Sequence, residues 1–191
     1  MLDSSTSDSV LFTSQHVTYA SADICFEVGP PPEELVSRIH AVALCRGEVV
    51  VCCTDEGWRF LPGGTREPLD KLEERGGLEV PDGLEPIERN LDRELLEEAG
   101  ARRTGPWSYL GAFRATHLND RPYRPHLPHP LAFWAIVVTE VELVGPPTNP
   151  PDGEQVTAVH TFPPAEAVDF LAGHDRLHAD VVRLAIAMGA I

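Results

Sequence analysis

The segment EPIERNLDRELLEEAG, residues 85–100, is the most informative stretch of this sequence. Pro86 suits the first position of a helix, where its missing N–H is not needed, and Gly100 suits the position just past the end. On a helical wheel of about 100° per residue, three apolar residues form one stripe; they are Ile87, Leu91 and Leu95. The segment is therefore predicted to be an amphipathic helix from Pro86 to Ala99.

Three carboxylates share an arc of about 100° on this helix; they belong to Glu94, Glu97 and Glu98. On the wheel, Glu98 lies inside the apolar stripe. Like charges four residues apart repel, and a desolvated carboxylate is costly without a compensating cation. Arg93 could pair with the cluster, but one arginine does not balance three carboxylates, whereas Mg²⁺ selects oxygen ligands of this kind. A divalent metal site is therefore favoured over a solvated acidic face.

The same residues resemble the C-terminal part of the Nudix box, G-x5-E-x7-R-E-U-x-E-E-x-G-U, in which U is apolar. Six fixed residues and two apolar positions match from Glu85 to Ala101 without a gap. The segment Pro62-Gly63-Gly64 resembles the entry loop of the family, and normal spacing would then place the first glutamate at Asp70. Matching Glu85 instead implies 15 residues inserted between loop and helix. Alternatively, Asp70 replaces the glutamate and the insertion follows it.

This resemblance to Nudix hydrolases implies an α+β fold, an α/β/α sandwich with a mixed β-sheet. It implies a pyrophosphohydrolase that uses Mg²⁺ or Mn²⁺ to cleave a nucleoside diphosphate linked to another moiety. The metal ligands implied are Gly64, Glu94, Glu97 and Glu98, and the catalytic residues implied are Glu94, Arg93 and Glu98. Arg93 would also hold Glu85 and orient the carboxylates. Two alternatives stay open, a nucleotide-binding module of the same fold that does not hydrolyse, and a diphosphate isomerase.

The 191 residues are expected to form one domain. Residues 1–32 are rich in Ser and Thr and are predicted to be an N-terminal arm with at most one short strand. Residues 33–191 would form the hydrolase domain, with an inserted lobe at about 71–83. Its predicted strands are Ile39–Leu44, Val49–Cys53, Trp58–Leu61, Tyr109–Thr116, Leu131–Val144 and Gln155–Phe162, and two further helices are predicted at Pro164–Leu171 and Asp175–Met188.

The charge balance excludes some partners. With 15 Lys+Arg against 30 Asp+Glu, the net charge of −15 argues against bulk DNA or RNA, because such binding depends on neutralising phosphates. A small nucleotide or diphosphate substrate remains compatible if metal cations screen the site. No apolar run is long enough for a membrane span, and the N-terminus has no secretory signal pattern. The four cysteines lack metal spacing, so a reduced, cytoplasmic protein is expected, with a homodimer as a further expectation.

Several polar residues have two interpretations each. Glu154 could be an extra ligand or base, or a solvated loop residue. The proline-rich stretch from Arg121 to Pro130 could contact phosphate or stack on a base, or could be an ordinary surface loop; its polar candidates, with one residue just before it, are His117, Arg121, Tyr123, Arg124, His126 and His129. The aromatic residues Trp58, Phe133 and Trp134 could line a pocket or belong to the core.

Overall fold

The computed structural model describes residues 10–69, 83–150 and 155–191. Within them the chain forms a nine-stranded mixed sheet. The strands are β1 (Gln15–Val17), β2 (Ala22–Val28), β3 (Val36–Cys45), β4 (Glu48–Thr54), β5 (Arg59–Phe60), β6 (Gly63–Thr65), β7 (Ala101–His117), β8 (Leu131–Leu143) and β9 (Val156–Phe162). The helices are α1 (Ile87–Ala99), α2 (Pro164–Ala172) and α3 (Arg176–Ala187).

The main path through the sheet runs β1-β2-β7-β8-β3-β4-β5, with β6 paired to β3 and β9 paired to β4. The long strands β7 and β8 are antiparallel, whereas β3 runs parallel to β8. Strand β3 therefore lies at the centre of the sheet, and β6 pairs with its first half, where His40 faces Gly63. This pairing brings the Gly63–Gly64 segment next to the middle of the fold.

Helices cover both faces of the sheet. Ile39 and Ala41 of β3 pack with helix α1 on one face, while Val42 packs with helices α2 and α3 on the other. Because successive strand residues point to opposite faces, one apolar run can serve two helical layers. The result is the expected α/β/α arrangement with a mixed sheet.

The helix predicted from Pro86 to Ala99 is present as α1, with Pro86 as the residue before its first turn. Gly100 caps its C-terminus in the left-handed conformation, with φ of 57°. A Cβ at this position would overlap the carbonyl group of Gly145, so glycine is required for two independent reasons. The backbone N–H groups of Thr148 and Asn149 both donate to the carbonyl oxygen of Glu97, and the loop after β8 thereby closes the end of this helix.

Two expectations about the strands were wrong. The N-terminal region contains two strands before Pro32, and β2 pairs with β7 along its whole length, burying Ile24 and Phe26. Polar residues alternate with these two side chains, which is the pattern of a strand with one buried face. Strand β7 also begins at Ala101, well before the predicted start at Tyr109. Its pairing with β8 is irregular between Arg103 and Trp107 and again between Tyr109 and Gly111.

Three segments lie outside the described residues, namely 1–9, 70–82 and 151–154. They include Asp70, Glu154 and nearly all of the expected insertion at 71–83. The division into an arm and a domain with an inserted lobe stays a prediction. Among the described helices, none combines the length and apolar composition that crossing a membrane requires.

Candidate functional site

The Gly63–Gly64 segment lies directly against helix α1. The backbone N–H of Gly63 donates to Oε2 of Glu98 at 2.8 Å. A Cβ added to Gly64 would overlap the carboxylate of Glu94, so the absence of a side chain lets the loop backbone touch this group. Two of the carboxylates singled out from the sequence, Glu94 and Glu98, therefore border the loop that carries Gly64.

Arg93 is shared by three carboxylates. Its Nη2 donates to Oε1 of Glu85 at 2.6 Å, and its Nη1 lies 2.8 Å from Oε1 of Glu94 and 2.9 Å from Oε2 of Glu97. Burial alone would lower the pKa of Arg93, but the hydrogen bond to Glu85 and the three negative charges raise it, so the guanidinium stays charged. One cation thus holds three anions, one just before helix α1 and two in its C-terminal half.

Glu85 is fully buried, with a relative exposure of 0%. Besides Arg93, its Oε1 accepts the backbone N–H of Glu67 at 2.9 Å, and its carbonyl oxygen accepts two hydrogen bonds from Arg66. Among the two candidates for the first carboxylate of the box, Glu85 thus makes the contact with Arg93 that the resemblance implies. Asp70 lies outside the described residues.

Glu94 is the most buried of the three helix carboxylates, with 7% exposure. On the helical wheel Glu98 lies inside the apolar stripe, and the structure leaves it partly buried. Glu94 is more buried because Gly64 of strand β6 lies against its carboxylate. Burial raises the pKa of Glu94 to about 7; the charge of Arg93 opposes this shift, and the charge of Glu97 adds to it. A buried carboxylic group that titrates near neutrality is characteristic of sites that move protons.

Asn90 lies one turn before Glu94 and is completely buried. Its Nδ2 lies 3.4 Å from the carbonyl oxygen of Thr65 and 3.4 Å from Oε1 of Glu94. Its Oδ1 has no hydrogen-bond partner among the described residues. The amide therefore adds a second contact that fixes Glu94, while it leaves one buried acceptor unsatisfied.

The donor set suits a hard divalent cation, because every candidate ligand offers an oxygen atom. The side chains of the described residues do not form a preassembled cluster of three metal ligands. Instead, Arg93 forms ion pairs with Glu94 and Glu97, and the Gly63 N–H donates to Glu98. A cation would therefore have to compete with Arg93 for two of the carboxylates.

The carboxylates open into a cavity of about 1100 Å³. Helix α1 and the Gly63–Gly64 loop form one end, and the proline-rich loop forms a wall. That loop is held by an ion pair between Arg124 and Glu67 and by His126, whose Nε2 lies 3.2 Å from the carbonyl oxygen of Arg66. Among the histidines, loop residues and aromatic residues that the sequence left with two interpretations, five line the cavity, namely Trp58, His117, Tyr123, Arg124 and Trp134. Phe133 belongs to the core instead.

Sequence reasoning missed one group of polar residues in the cavity. They are Arg38, His40, Asp175 and His178. Arg38 stacks on Trp134, with its guanidinium carbon 4.6 Å from the ring centroid, and the rings of His40 and His178 are 5.0 Å apart. Arg38 and His40 alternate on strand β3, a local signal that they share a face, but nothing in the sequence points to His178 as their neighbour.

No protein-family model matches the sequence, and no curated protein matches it by sequence. Solved structures do match the fold. One is a mutant of the Bacillus subtilis pyrophosphohydrolase BsRppH, with a TM-score of 0.52 and 15% identity, where the match covers 78% of this chain and 76% of the other.

Another is a Nudix hydrolase from Nitrosomonas europaea, with a TM-score of 0.50 and 16% identity, covering 80% of this chain and 90% of the other. Identities this low relate folds rather than activities. With the three layers, the mixed sheet and the position of helix α1, they lead to one conclusion: this chain has the Nudix hydrolase fold.

Proposed function

We propose that this protein is a metal-dependent pyrophosphohydrolase that cleaves a nucleoside diphosphate linked to another moiety. The observation that supports this most is the contact of the Gly63–Gly64 loop with Glu94 and Glu98, beside a single arginine shared by three carboxylates. Such a site is poor in positive charge for its number of anions. It therefore favours a divalent cation, and phosphate oxygens are natural partners of that cation.

The position of the carboxylates on the helix strengthens this argument. Glu94, Glu97 and Glu98 all lie in the C-terminal half of α1, where the helix dipole is negative and disfavours further negative charge. We assign Glu94, Glu97, Glu98 and the carbonyl oxygen of Gly64 as the metal ligands. When bound, Mg²⁺ or Mn²⁺ would supply positive charge to the phosphate oxygens and lower the pKa of a coordinated water.

The protein's own residues have separate tasks in this proposal. Arg93 joins the buried Glu85 to Glu94 and Glu97, so it positions the carboxylates. Glu94, the most buried of the three helix carboxylates, is also our candidate for the base that accepts a proton from the attacking water. Glu98 is oriented by the Gly63 N–H. The cavity above them offers space for the rest of the substrate.

The overall charge agrees with a small anionic substrate that arrives with metal. A protein with net charge −15 repels a free diphosphate, and bound cations reverse that sign locally. All four cysteines are free thiols, which supports the proposed cytoplasmic location.

The test is a panel of diphosphate compounds incubated with Mg²⁺ or Mn²⁺, with products identified by mass. We expect release of a nucleoside monophosphate or of phosphate from at least one compound, loss of activity in excess chelator, and recovery on adding metal. Equal turnover in chelator would contradict the metal role. Binding without cleavage would favour the nucleotide-binding module, and a product of unchanged mass would favour the isomerase.

A further inference from the structure

The backbone N–H and the backbone carbonyl of Leu61 are each bound by a histidine. Its N–H donates to Nδ1 of His178 at 3.2 Å, and its carbonyl oxygen lies 3.3 Å from Nδ1 of His40. Leu61 itself is fully buried, so both polar atoms of its backbone need a partner inside the protein. The two histidines supply these partners and lie side by side, with 5.0 Å between ring centroids.

These two hydrogen bonds determine where each neutral ring carries its proton. The Leu61 N–H points at Nδ1 of His178, so that nitrogen offers its lone pair and the proton resides on Nε2. Oδ2 of Asp175 also lies 3.2 Å from this Nδ1, but the directed N–H of Leu61 occupies its lone pair. The Leu61 carbonyl needs a donor, so His40 carries its proton on Nδ1 and has a lone pair on Nε2.

Both rings are held in the neutral form by their surroundings. Burial, the neighbouring His178 and the charge of Arg38 lower the pKa of His40 well below its ordinary value. Burial and the charge of Arg38 also lower the pKa of His178, although Asp175 acts in the opposite direction. The pair therefore suits an uncharged group rather than a phosphate.

The remaining nitrogen of each ring is available to a ligand. Both histidines line the cavity, and neither Nε2 has a hydrogen-bond partner among the described residues. His40 packs on Gly63, whose N–H binds Glu98, so the pair lies beside the carboxylate end of the cavity. A substrate held at the carboxylates would extend past these two nitrogens.

We propose that His178, through Nε2–H, and His40, through the lone pair of Nε2, together bind an uncharged part of the substrate that carries a hydrogen-bond acceptor beside a donor. This inference rests on the proposed function and assigns the residues that select the substrate. Two parts of a nucleotide carry that chemistry, the paired hydroxyls of a ribose and the amide edge of a base such as guanine or uracil. Buried donors and acceptors left without partners penalise analogues that lack these groups.

Asparagine and glutamine variants separate this role from a purely structural one. In His40→Asn and His178→Asn, the side-chain amide can replace Nδ1 and keep the bond to Leu61, but nothing replaces Nε2. In His40→Gln and His178→Gln, the amide reaches the place of Nε2, but the bond to Leu61 is lost. A ligand role predicts that the asparagine variants lose selectivity and the glutamine variants keep much of it. A structural role predicts the opposite order.

The measurement is calorimetric titration of uncharged nucleosides in chelator, so that neither metal nor turnover is needed. The panel pairs each ribonucleoside with its 2′-deoxy form, and guanine and uracil nucleosides with adenine and cytosine nucleosides. We expect the wild type to prefer one member of a pair about tenfold or more, and the asparagine variants to lose that preference. The pair that shows the preference identifies the sugar or the base as the part recognised.

Two results would overturn the proposal. One is a wild type that binds all members of the panel equally. The other is a set of glutamine variants that lose selectivity as much as the asparagine variants or more, which would make the histidines supports of Leu61 only. Thermal melts of all four variants accompany the titrations. Because no metal or hydrolysis is involved, a failure here leaves the hydrolase proposal standing, and a failure of hydrolysis leaves this result readable.

Discussion

Two neighbouring groups that line the cavity, the carboxylate end and the histidine pair, respond to burial in opposite directions. Burial raises the pKa of Glu94 to about 7, and it lowers the pKa of His40 and His178. Each shift favours the uncharged form of its group. The carboxylate end has more anions than cations, so a metal ion would reduce the repulsion there. Each ring of the histidine pair has one nitrogen bonded to the backbone of Leu61, and both rings stay neutral. Similar burial thus accompanies one group of residues that suits a metal cation and another that suits the neutral polar part of a ligand.

The largest effect is expected from Arg93→Ala. This change leaves the fully buried Glu85 without its ion-pair partner, and breaking a buried pair typically destabilises a protein by about 3–5 kcal/mol. The measurement is urea unfolding in chelator. Arg89→Ala is the matched control, because Arg89 lies exposed on the same helix and should change stability by less than about 0.5 kcal/mol. Equal effects of the two changes would show that the carboxylate end does not depend on Arg93.

The pH dependence of stability should separate the two groups. The pKa of Glu94 is raised in the folded protein, so between its ordinary range and pH 7 the folded state binds more protons than the unfolded state. Metal-free stability should therefore fall as pH rises from about 4.5 to 7, by up to about 3 kcal/mol, and level off above pH 7. Glu94→Gln should abolish this decline.

The histidine pair should show the reverse sign. Because the pKa of His40 is lowered in the folded state, the unfolded state binds more protons below pH 6.5, and stability falls as pH decreases. His40→Asn should relieve that loss while leaving the Glu94 decline in place. Denaturant unfolding at several pH values measures both slopes, and two slopes of the same sign would contradict the comparison.

Glu98→Gln tests the cation requirement. Glutamine can still accept the Gly63 N–H while removing one negative charge, so metal-free stability should rise or stay level. Hydrolysis should fall by orders of magnitude because a ligand is lost. Wild type should gain about 2.7 kcal/mol when free metal is about 100 times its Kd, and the variant much less. Thermal melts in chelator and in saturating Mg²⁺ provide the comparison. A lower melt in chelator with the full Mg²⁺ gain would instead make Glu98 a structural residue.

The smallest effect is expected for Arg124→Gln, in the proline-rich wall of the cavity. Its ion pair with Glu67 is partly exposed and should contribute less than about 1 kcal/mol to stability. Losing it frees the proline-rich loop, so KM should rise several-fold while kcat changes little. Steady-state kinetics on the substrate identified by the panel measures this, with Arg121→Gln, an exposed residue of the same loop, as control. A change in kcat alone would place Arg124 in the chemical step.

The parts that were predictable from the sequence are those with local causes. Pro86, Gly100 and the spacing of Leu91 and Leu95 suffice to define helix α1, because helix ends and amphipathic stripes depend on near neighbours. The α/β/α fold was expected from the resemblance to Nudix hydrolases, which rests on the residues of this helix. Strand β2 escaped prediction because a Ser- and Thr-rich stretch precedes its short alternating run.

The details of the site depend on long-range contacts instead. The burial of Glu94 under β6 depends on the path of a loop that precedes the helix, and the wheel does not contain that information. The hydrogen bond between the Leu61 N–H and His178, which holds one ring of the histidine pair, joins residues separated by 117 positions. Their roles became visible only when the sheet placed strand β3 beside helix α3.

The loop that closes helix α1 restricts which residues can occupy its positions. Residues 145–150 contain three prolines, which have no N–H to donate, so the two donors to the carbonyl oxygen of Glu97 come from Thr148 and Asn149. The contact with Glu97 uses only the backbone of these two residues, so position 148 should accept many residues and reject proline. Position 149 is more restricted, because Oδ1 of Asn149 accepts the backbone N–H of Val156 at 2.9 Å and its Nδ2 donates to the carbonyl oxygen of Val156 at 2.8 Å. Its φ of 46° also favours asparagine or glycine, so natural variation in this loop should be wide at 148 and narrow at 149.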